Sequence, residues 1–216
     1  MFDNVTVIGS GRVGSAIAAR LRERGVSVGE EGDLRLLCVP DRAIAEVAQS
    51  IEPGPWVAHV SGGTPLAALG PHVRRFSVHP LQTFTLARGA EQLDGAWGAV
   101  TADDDEARER ALWLAEMLGL HPFLLADDKR ALYHAGASIA SNFLVTLYRA
   151  ASALVSEAGA PPEALVPLMT RTIENDFELT GPISRGDWET VERHRAALQG
   201  SGFERAYEAL VEVTRA

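Results

Sequence analysis

The chain has 216 residues, 46% hydrophobic and 23% charged, enough for one full core or two modest ones, and two domains are expected. A formal charge of −9 with a pI near 5.2 argues against a nucleic-acid groove or an anionic membrane surface, which call for clustered Lys and Arg, and leaves small molecules and protein partners. The single cysteine, Cys38, excludes a disulfide framework or a thiolate cluster within the chain, and the six histidines show no HExxH-like spacing, so no metal is assigned.

The opening MFDNVTVIG enters a strand directly, and no apolar stretch approaches the ~18 residues of a membrane span, so a cytoplasmic protein is expected. Val5 to Ile8 read as the first strand. A helix comes next, with Val13, Ile17 and Leu21 on its inner face, Arg20, Arg22, Glu23 and Arg24 on its outer face, and Gly25 as its stop. Val26 to Val28 make a short second strand, LRLLCVP a strand buried on both faces, and DRAIAEVAQSI a helix. WVAHVSGG and RFSVHP read as further strands, and the alternation predicts an open parallel sheet.

From Asp103 the pattern turns to a capped helix, EARERALWLAEMLGL, and a short apolar piece, PFLLA. A helix of about thirty residues then runs from acidic caps at Asp127 and Asp128 to Gly159, with Ala135, Gly136, Ala137, Ser138, Ala140 and Ser141 in its middle. Such a small-residue face lets another backbone approach closely, as in the central helix of an α domain shared across a dimer. Pro162 suits a helix start, Pro167 is expected to kink or end the segment after it, TGP at 180–182 breaks the chain, and Asp187 and Ser201 can cap the last two helices. The domain boundary is expected near Ala126, giving domains 1–126 and 127–216.

Gly9, Gly11 and Gly14 form GxGxxG between a strand and a helix, the context in which this motif carries weight. The first glycine permits the turn, the second lets the backbone approach a pyrophosphate, the third lets helix pack on strand, and the helix N-terminus attracts phosphate. Ser10, Arg12 and Val13 share this loop, and Arg12 can add a contact. The competing reading is a plain tight connection. The motif also asks for an acidic residue about twenty positions on, for the ribose hydroxyls, where Glu30, Glu31 and Asp33 lie; on charge alone these favour NAD over NADP. An ordinary dinucleotide-binding half puts a helix and another strand before the next buried strand. Here only EEGD intervenes, so the adenosine half is expected to lack a wall.

SVHPLQTF puts His79, Gln82 and Thr83 just after a predicted strand, where open α/β sheets bind ligands. His79 can act as acid, base or donor, or equally as a loop histidine capping backbone groups. Ser61 in HVSGG can form a backbone cradle beside a nicotinamide or substrate, and Val39 and Pro40, at the end of LRLLCVP, complete the expected cofactor set. On the long helix His134, Ser138 and Ser141 or Asn142 recur every three or four residues and can meet a polar substrate, or simply satisfy one another at a packing face. The expected assignment is His79, His134 and Asn142 for catalysis, with Gln82, Thr83 and Ser138 for substrate.

The blocks VTVIGSGRVGSAIA, VSGG, FSVHPLQTF, ALYHAGASIASNFLVTL and LTGPISRGDWETVERH together resemble the Rossmann-like bacterial oxidoreductases that carry a C-terminal helical domain of unknown function. Those proteins are relatives of pyrroline-5-carboxylate reductase and, more distantly, of the 6-phosphogluconate dehydrogenase group. The resemblance implies an N-terminal NAD(P)-binding domain, an α domain that dimerises, a site between them, and HPLQT near the nicotinamide. The expected fold class is α/β, a Rossmann-like parallel sheet shortened after strand two with an all-α C-terminal domain. The expected function is an NAD(P)-dependent oxidoreductase, with NADP or NAD, for a small imine, keto or hydroxy acid. The alternative is a non-catalytic binding or regulatory protein on a degenerate scaffold.

Overall fold

A computed structural model describes residues 1–215. Its strands are β1 (Asn4–Ile8), β2 (Ser27–Val28), β3 (Leu34–Leu37), β4 (Trp56–His59), β5 (Arg75–Leu81), β6 (Trp97–Ala102) and β7 (His121–Leu124). They form one sheet in the order β2-β1-β3-β4-β5-β6-β7. The first five are parallel, β6 runs antiparallel to β5, and β7 is parallel to β6. The expected open parallel sheet is present, with the β5–β6 pairing alone antiparallel, so that it is mixed at that edge. WGAVTA carries only small and singly placed large residues, too weak a pattern to announce β6.

Helices cover both faces, as a mainly parallel sheet requires. On one face α1 (Arg12–Glu23) and α3 (Asp105–Met117) bring Ile17, Leu21, Ala107, Ala111 and Leu114 onto Val5, Leu34, Leu36, Phe76 and Val78. On the other, α2 (Asp41–Gln49) sets Ile44 and Ala48 against Leu37, Val57, Leu66 and Leu69. Each fully buried Leu or Ile here contributes roughly 1.5–3 kcal/mol. Arg20, expected on the solvent face of α1, is instead buried, donating to Asp94 at 2.6 Å and to the Ala90 carbonyl at 2.9 Å. Its long stem runs along the apolar seam while its head finds partners in the loop beyond β5. Asp104 caps α3 through the Ala107 N–H at 2.8 Å.

The expected shortening after strand two is present. β2 is two residues long and lies at the sheet edge, and the chain then crosses to β3 on the far side of β1.

The helical part starts with α4 (Arg130–Ser138), passes through a π-helical segment (Ile139–Phe143), and continues as α5 (Leu144–Glu157). Next come α6 (Leu165–Glu174), α7 (Trp188–Leu198) and α8 (Glu204–Arg215). Asp127, expected to cap the long helix, spends its carboxylate on the Leu66 N–H, at 3.0 and 3.2 Å. Pro167 neither kinks nor ends α6, because it falls in the first turn, where an N–H is dispensable. Asp187 caps α7 through the Thr190 N–H at 3.1 Å, whereas Ser201 accepts from Phe203 N–H just ahead of α8.

The chain divides into two compact units, Met1–Ser141 and from Asn142 onward, so α4 belongs with the sheet rather than beginning a new unit at Asp127. The second unit leaves Leu144, Val145, Val166, Leu168, Ile173 and Phe177 exposed. Contrary to the expectation of no such stretch, the continuous helix Asp127–Glu157, of mean hydropathy 1.2 over its most apolar window, has the length and composition to cross a membrane.

Candidate active site

The three glycines of the loop sit in three different environments. Gly9 has φ of +114°, and a Cβ there would lie 2.4 Å from the Cys38 carbonyl oxygen. A Cβ on Gly14 would lie 1.9 Å from the Gly9 carbonyl oxygen. Gly11, the N-cap of α1 at φ of −73°, has open space where its Cβ would be. Gly9 and Gly14 thus press the turn onto the end of β3, while Gly11 presents bare backbone at a helix N-terminus, the geometry that receives a phosphate. Arg12 is exposed beside it, and Val39 and Pro40 lie after β3 in the adjacent loop, with Pro40 as N-cap of α2. The neighbouring Cys38 thiol is pushed up to about 12 by burial and is inert at neutral pH. The pyrophosphate half of a nicotinamide dinucleotide therefore fits this loop.

Three strands along, a polar cluster occupies one face of the sheet. His59, Ser77 and Thr101 stand side by side in register, next to the apolar Leu37. Over them lies Arg130, the first residue of α4, only 1% exposed. Its Nη1 donates to Thr101 Oγ1 at 2.8 Å, and its Nη2 to Ser77 Oγ at 3.0 Å and to the Ser61 carbonyl. The Nε has no hydrogen-bond partner among the described residues and lies 4.0 Å from Asp127 Oδ1. This buried cation acts on both neighbouring histidines. His59 Nδ1 accepts from the Ser61 N–H at 3.2 Å, which puts its proton on a buried, unpartnered Nε2. Burial, then Arg130 and His79, push His59 down to about 3.

His79 lies inside β5, paired with Ala99, rather than in the loop after it, because the antiparallel β6 carries the strand on to Leu81. Its Nδ1 is 2.8 Å from the Tyr133 hydroxyl. Burial holds that hydroxyl protonated by pushing it up to about 12. We assign the hydroxyl as donor to Nδ1, which leaves the His79 proton on Nε2. Burial first, then His134 and Arg130, push His79 down to about 4, against the opposing charge of Asp41. His134 comes over the same ground: the two rings meet edge to face with centroids 6.0 Å apart. A Cβ on Gly62 would lie 2.6 Å from His134 Nδ1 and 2.9 Å from His79 Nε2. His134 Nδ1 is buried without a partner among the described residues.

The structure thus gathers His79, His134 and the Ser61 backbone, along a sheet edge that also holds Gly9 to Gly14, Val39 and Pro40 after β1 and β3. The Ser61 hydroxyl is committed to its own turn, accepting from Gly63 and Thr64 N–H at 3.2 and 3.0 Å. Gln82 and Thr83 are exposed beyond β5, the Gln82 Oε1 accepting from the Thr83 N–H at 2.8 Å. Ser138 ends α4 one turn beyond His134, and Asn142 lies within the second unit. Sequence reasoning missed Arg130, Tyr133 and His59. A cation in the first turn of a helix opposes the helix dipole, and a histidine inside WVAHV interrupts a buried strand; both were usable signals.

Residues 96–214, more than half of the chain, match the family described as a domain of unknown function, DUF2520. The chain belongs to this family. No curated protein sequence matches the chain. Among solved structures it is similar to a Bacteroides fragilis protein whose assignment as an NADP oxidoreductase is itself provisional, at 21% identity and a TM-score of 0.82, over 99% of this chain and 98% of the other. A Thermotoga maritima protein is similar at 23% identity and 0.77, covering 98% and 96%. The reductive aminase of Aspergillus terreus, solved with NADPH and ethyl levulinate, matches at 16% identity and 0.66, covering 100% and 95%. At these identities the likeness establishes the Rossmann-like fold with its helical C-terminal region.

Proposed function

We propose that this protein is a nicotinamide-dependent oxidoreductase acting on a small imine, keto or hydroxy acid, with the cofactor phosphate on Gly9–Gly14 and the reacting group beside His79 and His134. The observation that carries this reading is the contrast within the glycine loop: two glycines clamped by contact and the third open at the helix start. The NADPH-bound reductive aminase shares the fold and supports it. The bound nicotinamide would supply or accept hydride. His79, neutral at physiological pH, offers its Nε2–H to a substrate oxygen or nitrogen. His134, with an unpartnered Nδ1, exchanges the proton. The exposed apolar residues of the second unit support a homodimer through the helical part. The shortened sheet edge favours, as a second reading, ligand binding without turnover.

The test is calorimetric titration of cofactor-stripped protein with NADPH and NADH, then a spectrophotometric screen of keto acids with and without amines. Micromolar binding, about −8 kcal/mol, with substrate-dependent loss of reduced nicotinamide supports the enzyme. Binding without turnover of any candidate selects the second reading, and absence of binding overturns both.

A further inference from the structure

The two halves of a dinucleotide meet very different surfaces in this chain. β2 pairs only Ser27 and Val28 with Asn4 and Val5, while β1 continues to Ile8 before the glycine loop begins. The Asp3 and Val5 carbonyls accept from Ser27 and Gly29, so Val7 turns its N–H and C=O to the same side, beyond the end of β2. Ile8 bonds the opposite way, to the Cys38 N–H at 2.7 Å. Among the described residues no strand lies outside β2.

The segment that should carry the ribose-binding acid is instead tied down as a strap, Gly29 to Asp33, across the lower half of β1. The Gly32 N–H donates to Thr6 Oγ1 at 2.9 Å, and a Cβ there would lie 2.5 Å from the Thr6 nitrogen. The Asp33 N–H donates to the Asn4 carbonyl at 3.0 Å, and Asn4 Nδ2 to the Glu31 carbonyl at 3.1 Å. Arg35 reaches both the Glu30 carbonyl and the Thr6 hydroxyl. Glu30 and Glu31 are therefore anchored by their main chain at the level of Asn4 to Thr6. With a strand rise of about 3.3 Å per residue, that is roughly 10–16 Å below Gly9. A ribose acid belongs at the upper end of strand two, level with the loop.

Resting on the reading of Gly9–Gly14 as a phosphate loop, we infer that this chain recognises the nicotinamide mononucleotide part of its cofactor and gives the adenosine part no pocket of its own. Its ligand class is the nicotinamide mononucleotides, with NADH and NADPH bound as equivalent carriers of that group. Discrimination at the 2′ position is lost because Glu30, Glu31 and Asp33 are all anchored below it.

The experiment is a fluorescence and calorimetric titration of the intact, cofactor-stripped protein with reduced nicotinamide mononucleotide, NADH, NADPH and AMP. The expected result is dissociation constants for the mononucleotide and both dinucleotides within tenfold of one another, with no AMP binding. Glu30→Ala and Glu31→Ala should leave all three unchanged. A dinucleotide advantage beyond tenfold, tenfold NADH–NADPH discrimination, AMP binding, or loss of NADH affinity in either variant would each overturn the inference while leaving the phosphate-loop reading standing. Failure of every nicotinamide ligand to bind would overturn both.

Discussion

The glycine loop makes three substitutions with opposite expected outcomes. Gly9→Ala forces an L-residue to φ of +114° with its Cβ 2.4 Å from the Cys38 carbonyl oxygen. The backbone conformation alone costs about 1–3 kcal/mol and the overpacking about as much again. At about 2–4 °C per kcal/mol for a chain of this size, the melting temperature should fall by roughly 4–24 °C. Gly14→Ala puts a Cβ 1.9 Å from another backbone oxygen, which only a shift of α1 can relieve, so its loss should be at least as large. The Cβ of Gly11→Val meets nothing within 4 Å at an ordinary φ, and stability should change by less than about 1 kcal/mol. The same side chain fills the approach to the helix N-terminus and should weaken NADPH at least a hundredfold, about 3 kcal/mol. Thermal unfolding and calorimetry on the three variants decide the matter. A Gly11→Val protein that melts early, or that binds NADPH as wild type does, would refute the reasoning.

The histidine cluster gives further expectations. Gly62→Ala drives a methyl into both His79 and His134 and should cost about 1–3 kcal/mol, read as a lower urea midpoint. Arg130→Met leaves the Thr101, Ser77 and Ser61 oxygens without their donor and should cost about 2–4 kcal/mol, with Arg130→Lys recovering little because one ammonium cannot reach all three; thermal unfolding of both variants checks this. His79 titrates near 4 when folded and near 6.5 when unfolded, so the unfolded chain binds more protons between those values. Stability should therefore be complete above pH 6.5 and fall as the pH drops towards 4, by up to about 3 kcal/mol from this group; urea unfolding at pH 7 and 4.5 should show that slope, and His79→Gln should remove this group's share while the share of His59, held near 3 when folded, remains.

The alternation of strands and helices, the clamp by Gly9 and Gly14, and the missing segment after β2 were all legible, because each rests on local chemistry: β-branched runs, glycine where a Cβ would clash, and a linker too short for a helix. β6 was not, since its pairing with β5 is non-local and WGAVTA has neither alternation nor bulk. The position of His79 within β5 depends on that pairing and was lost with it. Arg20 and Arg130 were illegible for a different reason. Sequence patterning places arginines outward, and their burial depends on acceptors that arrive from residues 90, 94, 61, 77 and 101, far along the chain. His79 and His134 were singled out by residue type, yet their convergence over Gly62 needed the sheet, which brings β4 beside β5 and α4 across both.

The electrostatics of the cluster divide the work between its two central histidines. Burial first, and the fixed charge of Arg130 after it, disfavour the charged form of both rings, so His79 and His59 stay neutral through the physiological range. A neutral His79 whose Nδ1 is occupied by Tyr133 has one capacity left, donation from Nε2. It can polarise a carbonyl or imine but cannot deliver a whole proton to the product. Under the proposed reaction the proton must come from elsewhere, and His134, with its unpartnered Nδ1, is the other ring that shares the ground over Gly62. Removing the Tyr133 hydroxyl would free His79 Nδ1 and let either tautomer form, so Tyr133→Phe should lower kcat more than it weakens cofactor binding. The equal loss of both would mean that Tyr133 only holds the fold.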